Sequence, residues 1–457
     1  MANNRQSLAN DLTVGSVPRQ LIAFAAPLMV SGLLQTVYSV VDAAVVGQVV
    51  GSNALAGVSI GGDLCHSLMI VANGFAGAGQ VVISQYIGAA KKDKVSKTIG
   101  TLFTVMFLMG LICTVGCLFL REQLMGWLNT PAEAWEYTRD YLTPCLLGTI
   151  FIFGYNLVSA ILRGMGDSRR PFIFIAVATV LNIVLDLLFV AGFSWGAAGA
   201  AWATVIGQGV SFILSIVFLY RHRDRFGFDF KLSSFAVRKE VFIPLVKLGI
   251  PMMLQSAAIN VSRLFVGARV NAYGVMATAV TGMGNKLDTA INMLTHSLST
   301  AGGSMIGQNI GAEKYERVPK VILWSLICDG VIAVILGLAV VLFPNAVFGL
   351  FTDEPATLEA AMEYIPVVLV CFGSSMLRAP LFALINGSGN ASLNLINGIL
   401  DGVVVRIGLA LLLGEVLDFG IYGYWYGAAF AGYMPFIIGG IFLLSGKWKT
   451  RKHVVQD

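Results

Sequence analysis

The sequence predicts an all-α integral membrane protein with twelve transmembrane helices in two pseudo-symmetric six-helix lobes, and three observations carry that expectation. Its 457 residues are 56% hydrophobic and only 12% charged, against roughly 25% charged in a soluble domain. Mean hydropathy is +0.78. Apolar runs of about 20 residues, long enough to cross a bilayer as helices, recur along the chain between short polar connections, and the two halves repeat one another.

The first half gives spans at 20–50, 55–88, 98–120, 138–162, 171–193 and 197–220. The second gives 243–270, 277–310, 318–342, 359–385, 394–414 and 420–445. The first apolar run follows a polar stretch, is too long for a secretory signal and lacks a small-residue cleavage site, so it is expected to remain as a helix. Residues 1–220 then form an N-terminal lobe, 221–242 a cytoplasmic linker, and 243–457 a C-terminal lobe with a basic tail.

Basic residues fix the expected orientation, because short loops rich in Lys and Arg stay on the cytoplasmic side. They fall in alternate connections. Lys91, Lys92, Lys94 and Lys97 follow the second span, Arg169 and Arg170 the fourth, Arg221, Arg223, Arg225 and Lys231 the sixth, and Lys314, Arg317 and Lys320 the eighth. Lys447, Lys449, Arg451 and Lys452 close the chain. Both termini should therefore face the cytoplasm of a cell that carries this protein in its inner membrane. The net charge of +5 is a topology signal, and no basic face interleaved with aromatics suggests nucleic acid. The six cysteines lie in apolar runs, where free Cys acts as a small hydrophobe, and show neither disulfide nor metal spacing.

The repeat is visible as ISQYIGAAK at 83–91 against IGQNIGAEK at 306–314, identical at six of nine positions and offset by 223. The same offset aligns RGMGD at 163–167 with NGSGN at 386–390, and Gly51 with Gly274. Six helices per repeat place both halves in one orientation, as in transporters whose substrate cavity lies at the repeat interface.

Among the carboxylates in the apolar runs of the first half, Asp42 and Asp186 lie at similar depth. At about 1.5 Å per residue, Asp186 sits roughly 9 Å inside the outer end of the fifth span, while Asp42 and Thr204 lie roughly 13 Å inside the first and sixth. Asn182 and Asp186 are i and i+4 and share a helix face. A carboxylate in hydrocarbon is costly unless it is paired or hydrated, and marks an ion or proton pathway. Two acids at matched depth can share a proton. Alternatively, they can hold sodium together with the Asn182 carbonyl and the Thr204 hydroxyl. Structural glue satisfied by interhelical hydrogen bonds is the rival reading, but offsets of 223 to 224 place Phe265 or Val266, Val405, Leu409, and Gly427 or Ala428 opposite these residues, so the bundle itself does not demand them.

In the second half Arg263, Arg378, Arg406, Asp288, Asp329 and Asp401 are expected to form a static ion-pair network, since buried basic groups need acceptors. Pro27 removes one backbone hydrogen bond from the first helix. It is either a gate linked to the charge of Asp42 or a passive kink. GFAGAG at 74–79 lacks the preceding strand of a dinucleotide site and reads as helix packing; His66 and His296 also read as packing residues.

Over nearly its full length the chain resembles the multidrug and toxic compound extrusion (MATE) transporters. The resemblance rests on Pro27, Gln35, Tyr38, Asp42 and Gly47 in the first helix, on LRGMGDSRRP at 162–171, and on NIVLD at 182–186 followed by GAAGAAWAT at 196–204. It implies two six-helix lobes arranged as a V, exporting amphipathic, often cationic, organic compounds in exchange for sodium or protons. It further implies a cation site at Asp42, Asn182, Asp186 and Thr204, with Gln35 and Tyr38 as candidates for lining the substrate cavity. Leu187 stands where the family usually has Pro, and Gln255 and Arg378 stand where some branches carry acids.

An ATP-driven pump is not expected, because no GxxxxGK[ST] motif occurs and SGKWKT at 445–450 lacks its first Gly and its Ser or Thr. An enzyme is not expected either, for want of HExxH or a nucleophile and base pair. The alternative function is a lipid-linked precursor flippase of related two-lobe architecture. The expected partners are a small amphipathic substrate and membrane lipid, with no cofactor beyond the coupling ion and no nucleic acid, and the chain is expected to act as a monomer.

Overall fold

A computed structural model describes residues 10–450; Arg451 and Lys452 of the expected basic tail lie outside them. The architecture is all-α, with no strand among the described residues. Twelve long helices follow in order. The first six are α1 (Val17–Val49), α2 (Ser52–Gly88), α3 (Lys92–Phe119), α4 (Ala132–Gly164), α5 (Arg169–Gly192) and α6 (Gly196–Arg221). The second six are α7 (Lys239–Asn271), α8 (Val275–Gly311), α9 (Val318–Leu342), α10 (Ile365–Gly387), α11 (Ala391–Val416) and α12 (Gly420–Leu444).

Eleven of these are long and apolar enough to cross a bilayer. The remaining one, α8, runs for 37 residues but carries Asn285, Lys286, Asp288 and Asn292 near its middle. Large apolar side chains face outward, with Phe119 81% and Leu444 88% exposed, as lipid rather than water requires.

Several helix ends depart from the sequence expectation, and two of the departures have a clear local cause. The span expected from 359 is split: Pro355–Glu363 is a separate helix, and α10 starts at Ile365 with Pro366 in its first turn, where a missing N–H costs nothing. Helix α3 starts six residues before the expected 98, extended by the i,i+4 ion pair of Asp93 and Lys97 (2.8 Å).

The chain divides into two compact units. One comprises residues 30–249 with Asn10, and the other residues 11–29 with 250–450. Helix α1 contributes to both, and Pro27 lies two residues before the last position assigned to the second unit. In the first unit the segment after α6 docks on α3. The Thr104 hydroxyl donates to the Phe235 carbonyl (2.5 Å), the Arg238 N–H to the Thr101 hydroxyl (3.1 Å), and Phe228 stacks on Phe103 with centroids 6.1 Å apart.

The internal repeat is a repeat of backbone geometry. Gly51 and Gly274 both take positive φ (115° and 103°), as do Ala90 and Glu313 (56° and 58°) and Gly166 and Gly389 (80° and 67°), each pair 223 residues apart. Close helix crossings recur as well: a Cβ on Gly164 would meet the Gln80 carbonyl at 2.9 Å, and one on Gly387 the Gly303 carbonyl at 2.7 Å. Small residues are needed there for the backbones to touch.

Further along the offset changes. Ser194 and Asp418 (φ 56° and 55°), and Gly196 and Gly420 (φ 60° and 56°), are 224 apart. The second unit therefore holds one extra residue between 389 and 418. Helix α11 accommodates it as a π-helical segment at Gly398–Val405 that α5 lacks; its later π segment, Leu412–Val416, matches Leu187–Gly192 of α5. An i→i+5 turn holds one more residue than an α turn, and such bulges gather at functional positions.

Candidate cation site

Three helices of the first unit, α1, α5 and α6, bring the polar residues together. Asp186 is fully buried at the last α turn of α5, immediately before the π segment that begins with Leu187. Asp42 on α1 and Asn182 on α5 are also buried, at 7% and 4% exposure. Asp42 lies within electrostatic range of Asp186. Each carboxylate keeps one buried oxygen, Asp42 Oδ1 and Asp186 Oδ1, without a hydrogen-bond partner. An orphaned anionic oxygen in a membrane bundle is costly, and a proton or a cation relieves it.

The Asn182 amide N–H donates to Asp186 Oδ2 (3.3 Å), and its carbonyl accepts from the Thr204 backbone N–H (3.2 Å). Asn182 thereby joins α5 to α6 and leaves the second oxygen of Asp186 open.

A cavity of about 230 Å³ opens beside the site, lined by Gln35, Tyr38, Asp42, Tyr155, Thr204 and Gln208 among others. A smaller cavity of about 10 Å³ reaches Asn182 and Thr179, and Tyr38, Thr204 and Gln208 border both. Asp186 lines neither. Gln35 and Tyr38 thus line the cavity beside Asp42. Pro27 is separate from it, inside α1 and in the other unit. His66, expected to be a packing residue, lines the larger cavity instead, because its face of α2 is exposed.

Thr179 and Gln208 escaped the sequence reading. Thr179 is three residues before Asn182 and Gln208 four after Thr204, so helical periodicity places each on the flagged face. Among the described residues no group of three or more His, Cys, Asp or Glu converges as a transition-metal site would require. The donor set is oxygen-only, which suits a hard cation or a proton.

The second unit answers differently. With the extra residue counted, the counterpart of Asn182 is Arg406 and not Val405, that of Asp186 is Ala410 and not Leu409, and that of Thr204 is Ala428. Asn182 bonds Thr204 across 22 residues, and Arg406 Nη1 donates to the Ala428 carbonyl (2.9 Å) across the same 22. Arg406 Nη2 also donates to Asp401 Oδ1 (2.7 Å), and both side chains are buried. Where the first unit presents acids, the second carries a tethered guanidinium with its own carboxylate.

The expected six-member ion network resolves into two pairs, Arg406 with Asp401 and Arg263 with Asp288 (3.2 Å). Asp329 is fully buried with neither oxygen hydrogen-bonded. Arg378 donates to the neutral Asn292 carbonyl oxygen. Neither joins an ion pair among the described residues, because α9 and α10 present them to apolar and neutral neighbours.

Comparison with known proteins agrees with this geometry. The sequence pattern of the MatE family matches residues 27–188 and 251–412, one match in each half. The chain is 30% identical to a probable multidrug resistance protein, YpnP, of Bacillus subtilis, over 97% of this chain and 98% of that protein. It is 24% identical to the probable multidrug resistance protein NorM of Thermotoga maritima, over 97% and 96% of the two chains. Among solved structures, it is similar to a MATE in the straight conformation (TM-score 0.90, 22% identity, 98% of this chain and all of that one). It is also similar to an outward-facing multidrug resistance MATE transporter (TM-score 0.89, 22% identity, 98% of this chain and all of that one).

Proposed function

The chain belongs to the MatE family, and from that premise we propose that it exports amphipathic organic compounds across the cell membrane in exchange for sodium or protons. It works as a monomer with both termini in the cytoplasm, the orientation that its basic loops favour. The names of its Bacillus and Thermotoga relatives, probable multidrug resistance proteins, support the substrate class. The observation that carries the coupling is the pair of orphaned oxygens on Asp42 and Asp186 beside Asn182 and Thr204.

Asp42 and Asp186 take the cation's charge. The Asn182 N–H holds Asp186 Oδ2, which leaves Asp186 Oδ1 and Asp42 Oδ1 to the ion, with the Asn182 carbonyl and the Thr204 hydroxyl as neutral oxygens nearby. A proton on either carboxylate would satisfy the same oxygens. Four oxygen-bearing side chains favour sodium slightly. Loading also neutralises the Asp42 wall of the larger cavity and weakens its hold on a cationic substrate, which makes the two occupants compete as antiport demands. Pro27 gives α1 a place to bend as Asp42 changes charge.

Export of a dye panel from proteoliposomes under separately imposed sodium and proton gradients tests the reading. One of the two gradients, the sodium gradient by expectation, should drive export by itself, and ATP should not. Transport that needs ATP with both gradients collapsed refutes it. If a protonophore abolishes transport while sodium removal at several pH values leaves it unchanged, the ion is the proton.

A further inference from the structure

The second unit contains a charge the bundle does not balance. Arg263, Arg378 and Arg406 share one electrostatic neighbourhood with Asp288 and Asp401, all of them acting on Arg263 or on the Cys371 thiol. Cys371 and Arg378 are i and i+7 on α10 and share a face. Three guanidiniums meet two carboxylates, and both carboxylates are taken: Asp288 by Arg263 and Asp401 by Arg406. Arg378, half-buried near the middle of α10, is left with the Asn292 carbonyl oxygen, which also accepts from the Ser375 hydroxyl (3.1 Å). Asn292 Nδ2 is itself a buried donor without an acceptor. Donors converge here, and no carboxylate among the described residues pairs with Arg378.

We propose that Arg378 is an anion-binding site that holds the carboxylate or other oxyanion of an amphipathic substrate. A planar guanidinium suits that group in bidentate geometry, and an unpaired cation at this depth is otherwise costly. Where the cargo is cationic, the preferred form is then zwitterionic, with a carboxylate or other oxyanion for Arg378 to hold. A free inorganic anion such as chloride shares the chemistry and is the other source. The substrate reading rests on the proposed export function. The test reads binding without any gradient, so failure of cation coupling does not touch it.

Full-length protein in detergent would be titrated with a zwitterionic aryl carboxylate and with its methyl ester, with and without added chloride. The acid should bind about tenfold or more tightly than the ester, and Arg378→Gln should erase the difference by weakening the acid alone. Asn292→Asp supplies an internal carboxylate to Arg378, so it should also erase the preference while keeping the charge pair satisfied, which covers a failure of Arg378→Gln to fold. If the parent shows no acid preference but chloride raises its melting temperature, and Asn292→Asp removes that rise, the site stands with a free anion as occupant. An acid-to-ester ratio and a chloride response that are the same in parent and Asn292→Asp overturn the proposal.

Discussion

Asn is nearly isosteric with Asp and keeps a hydrogen-bonding head, so Asp186→Asn and Asp42→Asn remove the ionisable group and little else. Each variant should insert and fold yet lose coupled transport, measured as gradient-driven dye export after reconstitution. Export at the parent rate by Asp186→Asn would place the coupling elsewhere. Asp401 should behave in the opposite way. It is 1% exposed and is the one carboxylate that pairs with buried Arg406 among the described residues, so Asp401→Asn strands a guanidinium in the bundle and should cost about 3 kcal/mol of stability, in order of magnitude. Its dependence on sodium and pH should survive. Melting in detergent together with transport against ion concentration separates the two: a stable Asp401→Asn protein that has lost its ion dependence would mean the second unit loads the ion.

Helix α11 places Asp401 against Arg406 only because its backbone widens between Gly398 and Val405. In an unbroken α-helix residues five apart lie on different faces, at about 100° per residue; the π turn brings i and i+5 into line. Deleting Val404 should return this stretch to α geometry, turn Asp401 away from Arg406, and lower the melting temperature by as much as Asp401→Asn does. A deletion variant as stable as the parent would show that the bulge is not what pairs them. Helix α1 raises a similar question of geometry at Pro27, whose missing N–H permits a bend near the point where the helix leaves one unit for the other. Pro27→Ala should slow export while leaving sodium binding by the detergent-solubilised protein within about twofold of the parent, since binding differences that small are worth well under 1 kcal/mol. Loss of both together would tie Pro27 to the site itself.

The two units share a backbone plan and differ in charge. Acids stand at Asp42 and Asp186 in one, and the positions equivalent to Asn182 and Thr204 in the other hold Arg406 and Ala428. A guanidinium in that place repels a second cation, so one ion per chain should bind. Equilibrium binding of radioactive sodium to purified protein should saturate at a single site, and Arg406→Asn, which uncovers Asp401, is the variant most able to add another. Two sites in the parent would contradict this asymmetry.

Composition and apolar run length were enough to specify an all-α membrane bundle, because a bilayer admits few alternatives to the helix. The motif offset of 223 exposed the repeat, and helical spacing put Asn182 and Asp186 on one face, since that relation is local. Where the spans begin and end was less accessible: the break at Tyr364 depends on Pro366 opening a new helix, and the start of α3 on a surface ion pair. The extra residue in α11 left no mark in composition or periodicity. It moved the counterpart of Asn182 from Val405 to Arg406, and where along the chain the offset passes from 223 to 224 was decided by matching backbone angles in the two units. Which charges pair was equally a matter of space, for Arg263, Arg378, Arg406, Asp288, Asp329 and Asp401 are scattered along five helices. Their partners follow from packing, and packing alone left Arg378 without a carboxylate.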